Sequence, residues 1–213
     1  MDHDAPEARE ADGTATSRSS RRALLGIGLG GAAASLLPFL TGRASASASS
    51  TTAPPKRPTA DDVSLLGAAQ QLELAAVTLY EKAIGVVNGW SAEQAAVMTT
   101  FRDSHLAFAH SLSALLGKPA PGSASAAVVA AFDAAFSGSA TEVCASAARF
   151  ESSAVATHGE VLAGLQGVNG AALVASIQIA EARHCTVLAD LAGLTDDASL
   201  LVDEEAEPIS VNG

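Results

Sequence analysis

An internal repeat constrains this chain more than any other feature. Glu73-x-x-Ala76-Val77-x-x-Tyr80 returns 78 residues later as Glu151-x-x-Ala154-Val155-x-x-His158. Arg102-x-x-His105 returns after 79 residues as Glu181-x-x-His184, each followed by leucines, Leu112 and Leu115 in the first copy and Leu191 and Leu194 in the second. Nearly the same offset in two separate segments reads as a two-segment unit copied as a whole. Each unit must then bury its apolar face against the other.

The segments read as helices. Ala-rich sequence with only 4% aromatic residues disfavours a sandwich or barrel, because strands are enriched in aromatic and β-branched residues. The first helix is expected from about Asp61 to Val87, stopped by Asn88-Gly89. Ser91 with Gln94 forms a capping box for the second, which stops at Gly117. Ser139 with Glu142 opens the third, ending near Gly167, and a fourth follows Val168-Asn169-Gly170 to about Ala192. Between the second and third lie residues 117–138, rich in Pro, Gly, Ser and Ala, with a short apolar stretch from Ala126 to Phe136. Short, long, short connections predict an all-α four-helix bundle of two helical hairpins joined by a long crossover.

Register within the hairpins then gathers polar residues. Glu73 lies 16 residues before the turn at residue 89 and His105 lies 16 after it. About the second turn, at residue 168, Glu151 lies 17 before, with Glu181 and His184 13 and 16 after. At ~1.5 Å of rise per residue all five fall within roughly one helical turn of a common level. Glu181 and His184, at i and i+3, share a helix face. Carboxylates and imidazoles in an apolar bundle are costly unless they are paired or bind metal.

Glu-x-x-Ala-Val-x-x-Tyr in the first helix, the His-bearing second helix and Glu181-Ala182-Arg183-His184 in the fourth resemble the ferritin-like proteins that carry twin-arginine signals in high-GC bacteria. The resemblance covers residues 61–195 and implies the ferritin-like bundle. Metal-binding members of that fold place one Glu on each of two helices and Glu-x-x-His on each of the other two. Mapped residue by residue, it makes Glu73, His105, Glu151, Glu181 and His184 metal ligands, with iron or manganese as the cofactor and redox chemistry as the activity. The sixth position departs: Arg102 stands where Glu belongs. Two readings follow. One is a metal centre for peroxide or dioxygen reduction or metal oxidation. The other is a metal-free structural or binding bundle of the cell envelope, with Arg102 in place of a ligand and paired to a core carboxylate. Tyr80 and His158, each seven residues beyond a core Glu, either line an entrance to the site or simply pack. His110, about 140° round the helix from His105, is left out. Arg149 and Arg183 read as surface or inter-helix pairing groups.

The ends carry further expectations. Ser20-Arg21-Arg22-Ala23 opens a mild apolar stretch to Leu40, followed by Ala44-Ser45-Ala46 as a cleavage signal, which reads residues 1–46 as a twin-arginine-like export segment. A membrane anchor is the rival reading, disfavoured by Gly-rich composition and Pro38. Export to the cell envelope or beyond is expected, with membrane contact only through this segment. Residues 47–60 read as a disordered spacer and the acidic stretch 196–213 as a disordered tail. Beyond residue 46 the chain holds 18 acidic residues against 7 basic, which argues against nucleic acid as a partner. No disulfide is expected, because Cys144 and Cys185 differ by seven residues in level, roughly 10 Å along the axis. No nucleophile triad, phosphate-binding Gly loop or Cys-based zinc pattern occurs.

Overall fold

Two capping boxes legible in the sequence, at Ser91 and Ser139, set the first turns of their helices, and a third, not anticipated, sets the first helix. In the computed structural model Thr59 caps α1 (Ala60–Val86) through a reciprocal pair with Asp62. Ser91 and Gln94 cap α2 (Ala92–Leu116), and Ser139 and Glu142 cap α4 (Ala140–Gly164). The stop after α2 is Gly117, whose φ of 68° is open to glycine and strained for other residues. The structure describes residues 53–211 apart from 195 and 197, all within one compact unit, residues 50–213. The expected export segment, residues 1–46, lies outside the described residues.

The described part of the protein is all-helical. Alongside the three helices above, α3 (Ala126–Phe132) and a 3-10 turn (Ala134–Phe136) occupy the expected crossover, α5 spans Val168–Leu191, and a second 3-10 turn covers Ala198–Leu200. α1 packs on α2 and α4 on α5, and the two pairs meet through α1 with α4 and α2 with α5. Among the described residues no helix is long and apolar enough to cross a membrane.

Two helix boundaries differ from the sequence reading, each because of tertiary contacts. α4 ends at Gly164, earlier than expected, and α5 begins at Val168, so that Asn169 and Gly170 lie inside a helix. The turn between them is held from outside: the Asp62 carboxylate accepts hydrogen bonds from the backbone of Gln166 (2.8 Å) and Gly167 (2.9 Å) as well as Thr59 (2.7 Å). A Cβ at Gly167 would sit 2.8 Å from the Arg57 carbonyl oxygen, so only glycine lets the segments approach this closely. Pro55 and Lys56 carbonyls accept from Val168 and Asn169. Residues 55–60 are therefore ordered where a disordered spacer was expected.

The acidic tail is also ordered over its described part. Asp203 N–H donates to Ser152 Oγ (3.2 Å), Ile209 N–H donates to Thr157 Oγ1 (2.8 Å), and the Val211 carbonyl accepts from Ser125 Oγ (2.5 Å). Val211 is buried, and Leu200 and Ile209 pack on the same apolar cluster. Composition suggests disorder because the acids dominate the count, whereas the sparse apolar residues are what dock.

The core falls into two apolar halves. One gathers Leu79, Met98, Phe136, Val143, Phe150 and Leu188; the other gathers Leu66, Leu112, Leu116, Val161, Val174 and Ile177. On each of α1, α2, α4 and α5 buried polar residues occur where one half gives way to the other, and there the candidate site lies.

Candidate metal centre

Six ionisable side chains fill the layer between the apolar halves, all buried: Glu73 from α1, His105 from α2, Glu151 and His158 from α4, Glu181 and His184 from α5. They form one chain in which imidazoles and carboxylates alternate. His184 Nδ1 lies 3.4 Å from Glu151 Oε2, and Glu151 Oε1 lies 3.0 Å from His105 Nε2. His105 Nδ1 lies 2.7 Å from Glu73 Oε2, Glu73 Oε1 lies 3.2 Å from His158 Nε2, and His158 Nδ1 lies 2.9 Å from Glu181 Oε2. Three potential cations thus alternate with three potential anions, the arrangement that lowers the cost of burying each.

All five residues singled out from the sequence sit in this layer. His158 is the member that sequence reasoning left aside. It lies wholly inside the core, bridging Glu73 and Glu181, and lines no entrance. The available signal was its position seven residues from Glu151, two full turns along the same face. Tyr80 is likewise buried, and its hydroxyl donates to Glu151 Oε1.

Arg102 does not enter the layer, which corrects the expectation that it stands in for a ligand or bridges core carboxylates. Its guanidinium reaches outward to the exposed carboxylates of Glu81 on α1 (3.2 Å) and Asp103 on α2 (2.8 Å). A long stem lets the charge stay in water, which costs far less than burying it. His110, Arg149 and Arg183 are exposed.

The layer is electrostatically uneven. Burial pushes the Glu151 carboxyl up, but the His105 and His184 imidazoles beside it outweigh burial and hold it well below the usual carboxylate range. Burial disfavours the charged form of His105, yet Glu151 and Glu73 raise its pKa well above the ordinary value. His158, also opposed by burial, is raised to about 9 by Glu181 and Glu73. Glu181 goes the other way: burial pushes its carboxyl up to about 7, and His158 only partly offsets this. Burial raises the thiols of Cys144 to about 11 and Cys185 to about 12; both are free and buried.

Satisfaction of hydrogen bonds is uneven in the same way. Two groups of ligand atoms each lie within 4.8 Å of one another: His105, Glu151 and His184, and Glu73, His158 and Glu181. In the second group Glu73 Oε1, His158 Nε2 and Glu181 Oε1 are buried without a hydrogen-bond partner among the described residues. Glu73 Oε1 and His158 Nε2 are close, but not aligned for a hydrogen bond. Glu181 Oε1 has no partner among the described residues, and the other two atoms have only their unaligned ion-pair contact. A buried polar atom left without a hydrogen bond costs about 1–3 kcal/mol, which a bound cation would relieve. Carboxylate oxygens with one imidazole nitrogen suit a hard or borderline divalent cation, and the residues present fit such a group.

An all-helical protein with a buried layer of carboxylates and imidazoles drawn from four helices is a recognisable class. A sequence model of the ferritin-like domain matches residues 61–194, and the chain belongs to that family. Neither the curated proteins nor the solved structures compared with the chain hold a match to it.

Proposed function

We propose that the protein is an exported metalloprotein that holds iron or manganese in the core of a ferritin-type four-helix bundle, with Glu73, His105, Glu151, His158, Glu181 and His184 as the ligand set. The observation that carries this reading is the triad of orphaned atoms on Glu73, His158 and Glu181. His158 supplies a third imidazole where the family pattern has a Glu on the second helix. The departure at Arg102 therefore leaves the ligand count at six. An iron or manganese ion held there supplies redox chemistry, either reduction of peroxide or dioxygen or oxidation of the metal itself.

The chain's own side chains do the rest. Tyr80 holds a proton against Glu151. In the metal-free protein Glu181, its carboxyl raised to about 7, holds a proton for part of the time near neutral pH and would give it up on binding metal. The apolar halves on either side exclude water from the layer. Export by the twin-arginine-like segment suits this reading, because that route carries folded proteins and so allows the metal to be loaded first.

A metal-free bundle of the cell envelope is the second reading. It is favoured by His105, which is already paired on both ring nitrogens, with Glu73 at 2.7 Å and with Glu151 at 3.0 Å. Elemental mass spectrometry on the full chain, purified without chelator, separates the two. Iron or manganese at about one or two ions per chain, lost in a His158→Ala/Glu181→Ala variant, is the expected result. A wild-type protein that is empty and stays empty after reconstitution overturns the metal reading.

A further inference from the structure

The buried layer is sealed unevenly. Five of its members are 0% exposed, whereas His184 is 6% exposed. His184 is also the most loosely held, with its single hydrogen bond, to Glu151, at 3.4 Å. Its other ring nitrogen, Nε2, takes no hydrogen-bond partner among the described residues. What covers the His184 ring is Phe101 of α2, stacked on it at 3.8 Å between centroids and 22° between planes, and itself 7% exposed.

The opposite side of the layer is closed more firmly. α3 and the turn Ala134–Phe136 pack on α1, and the turn also packs on α4. The C-terminal segment is pinned to α4 by hydrogen bonds at Ser152 and Thr157, next in sequence to Glu151 and His158. Where α2 meets α5, the Phe101 ring rests on His184, while Phe108 of α2 stands edge-on to His105 at 6.2 Å.

We infer that Phe101 and His184 form the port through which the buried centre exchanges its divalent cation with solvent. His184 is the first side chain that an arriving cation meets, through Nε2, which has no hydrogen-bond partner among the described residues, and displacement of the Phe101 ring exposes the layer behind it. Side chains swing on a far shorter timescale than helices separate, so a port made of two rings admits a small ion without opening the bundle. The inference rests on the metal-binding reading for its cargo, but not for the location of the opening.

Two experiments on the full chain test it. Hydroxyl-radical footprinting of the metal-free wild type reads side-chain access independently of protonation and of any metal. His184 and Phe101 should oxidise several-fold faster than His105 and His158, with exposed His110 as the upper reference. Equal protection of the three core histidines, or faster oxidation of His105 or His158, overturns the port. In the second, Mn2+ alone is added and its uptake is followed by loss of the free-ion paramagnetic resonance signal. Phe101→Leu keeps an apolar filling but removes the stacked ring, so it should load about three- to tenfold faster to the same final stoichiometry, the factor that one aromatic stack allows. An unchanged rate in a folded Phe101→Leu protein overturns the port as well. Should the wild type take up no Mn2+, the metal reading falls, while the footprint still decides where the layer opens.

Discussion

Glu151 and Glu181 are both buried carboxylates of the same layer, yet the structure requires them to respond in opposite ways to one isosteric change. Glu151 is held ionised by imidazoles on both sides and also accepts the Tyr80 hydroxyl. Glu151→Gln removes the counter-charge between His105 and His184. Breaking a buried ion pair from one side costs about 3–5 kcal/mol. At about 2–4 °C per kcal/mol for a domain of this size, the metal-free variant should melt roughly 10 °C below wild type. Glu181 is different, because burial brings its carboxyl to about 7, so at pH 7 it is already close to half neutral. A neutral amide of the same shape replaces that group at a cost of about 1 kcal/mol or less. Thermal and urea denaturation of the metal-free proteins at pH 7, followed by circular dichroism, measures both. Equal losses in the two variants, or a larger loss for Glu181→Gln, would refute the asymmetry described for this layer.

Four other outcomes are expected. Stability of the metal-free protein should fall as pH rises from about 5 to about 9. His158 gains its pKa shift on folding, from 6.5 to about 9, so its contribution is full below 6.5 and lost through about 9. Glu181 is raised from 4.5 to about 7, so its contribution is full below 4.5 and lost through about 7. Metal affinity should rise over the same range as the ligands shed protons, so the stabilisation added by Mn2+ must grow with pH; a flat response counts against both assignments. Arg102→Ala should leave metal content unchanged and cost under about 1 kcal/mol by urea denaturation, since it breaks only half-exposed pairs with Glu81 and Asp103. Asp62→Ala should cost about 2–4 kcal/mol and speed amide exchange at Gln166 and Gly167, whose N–H groups lose their acceptor.

The sequence by itself determined the helices and the level of the site. Capping boxes at Ser91 and Ser139 act within four residues, so they are legible locally, and both form as written. Residues at matched distances from two turns lie at matched depths because helical rise is constant. Spacing along the chain is therefore enough to put Glu73, His105, Glu151, Glu181 and His184 in one layer. Tertiary structure decided everything that depends on which neighbour a side chain meets. His158 shares a face with Glu151, but neither hairpin's own turn says whether a second turn of α4 reaches Glu73 and Glu181. That depends on how far one hairpin slides against the other. Arg102 occupies a ligand position in the pattern, yet its long stem lets the charge leave the core for Glu81, a choice that helical spacing does not encode. The start of α5 and the course of the tail were equally unreadable, because their hydrogen bonds run to Asp62, Ser152 and Thr157, between 51 and 105 residues away in sequence. Local chemistry sets the elements; the offset between two copied hairpins sets the site.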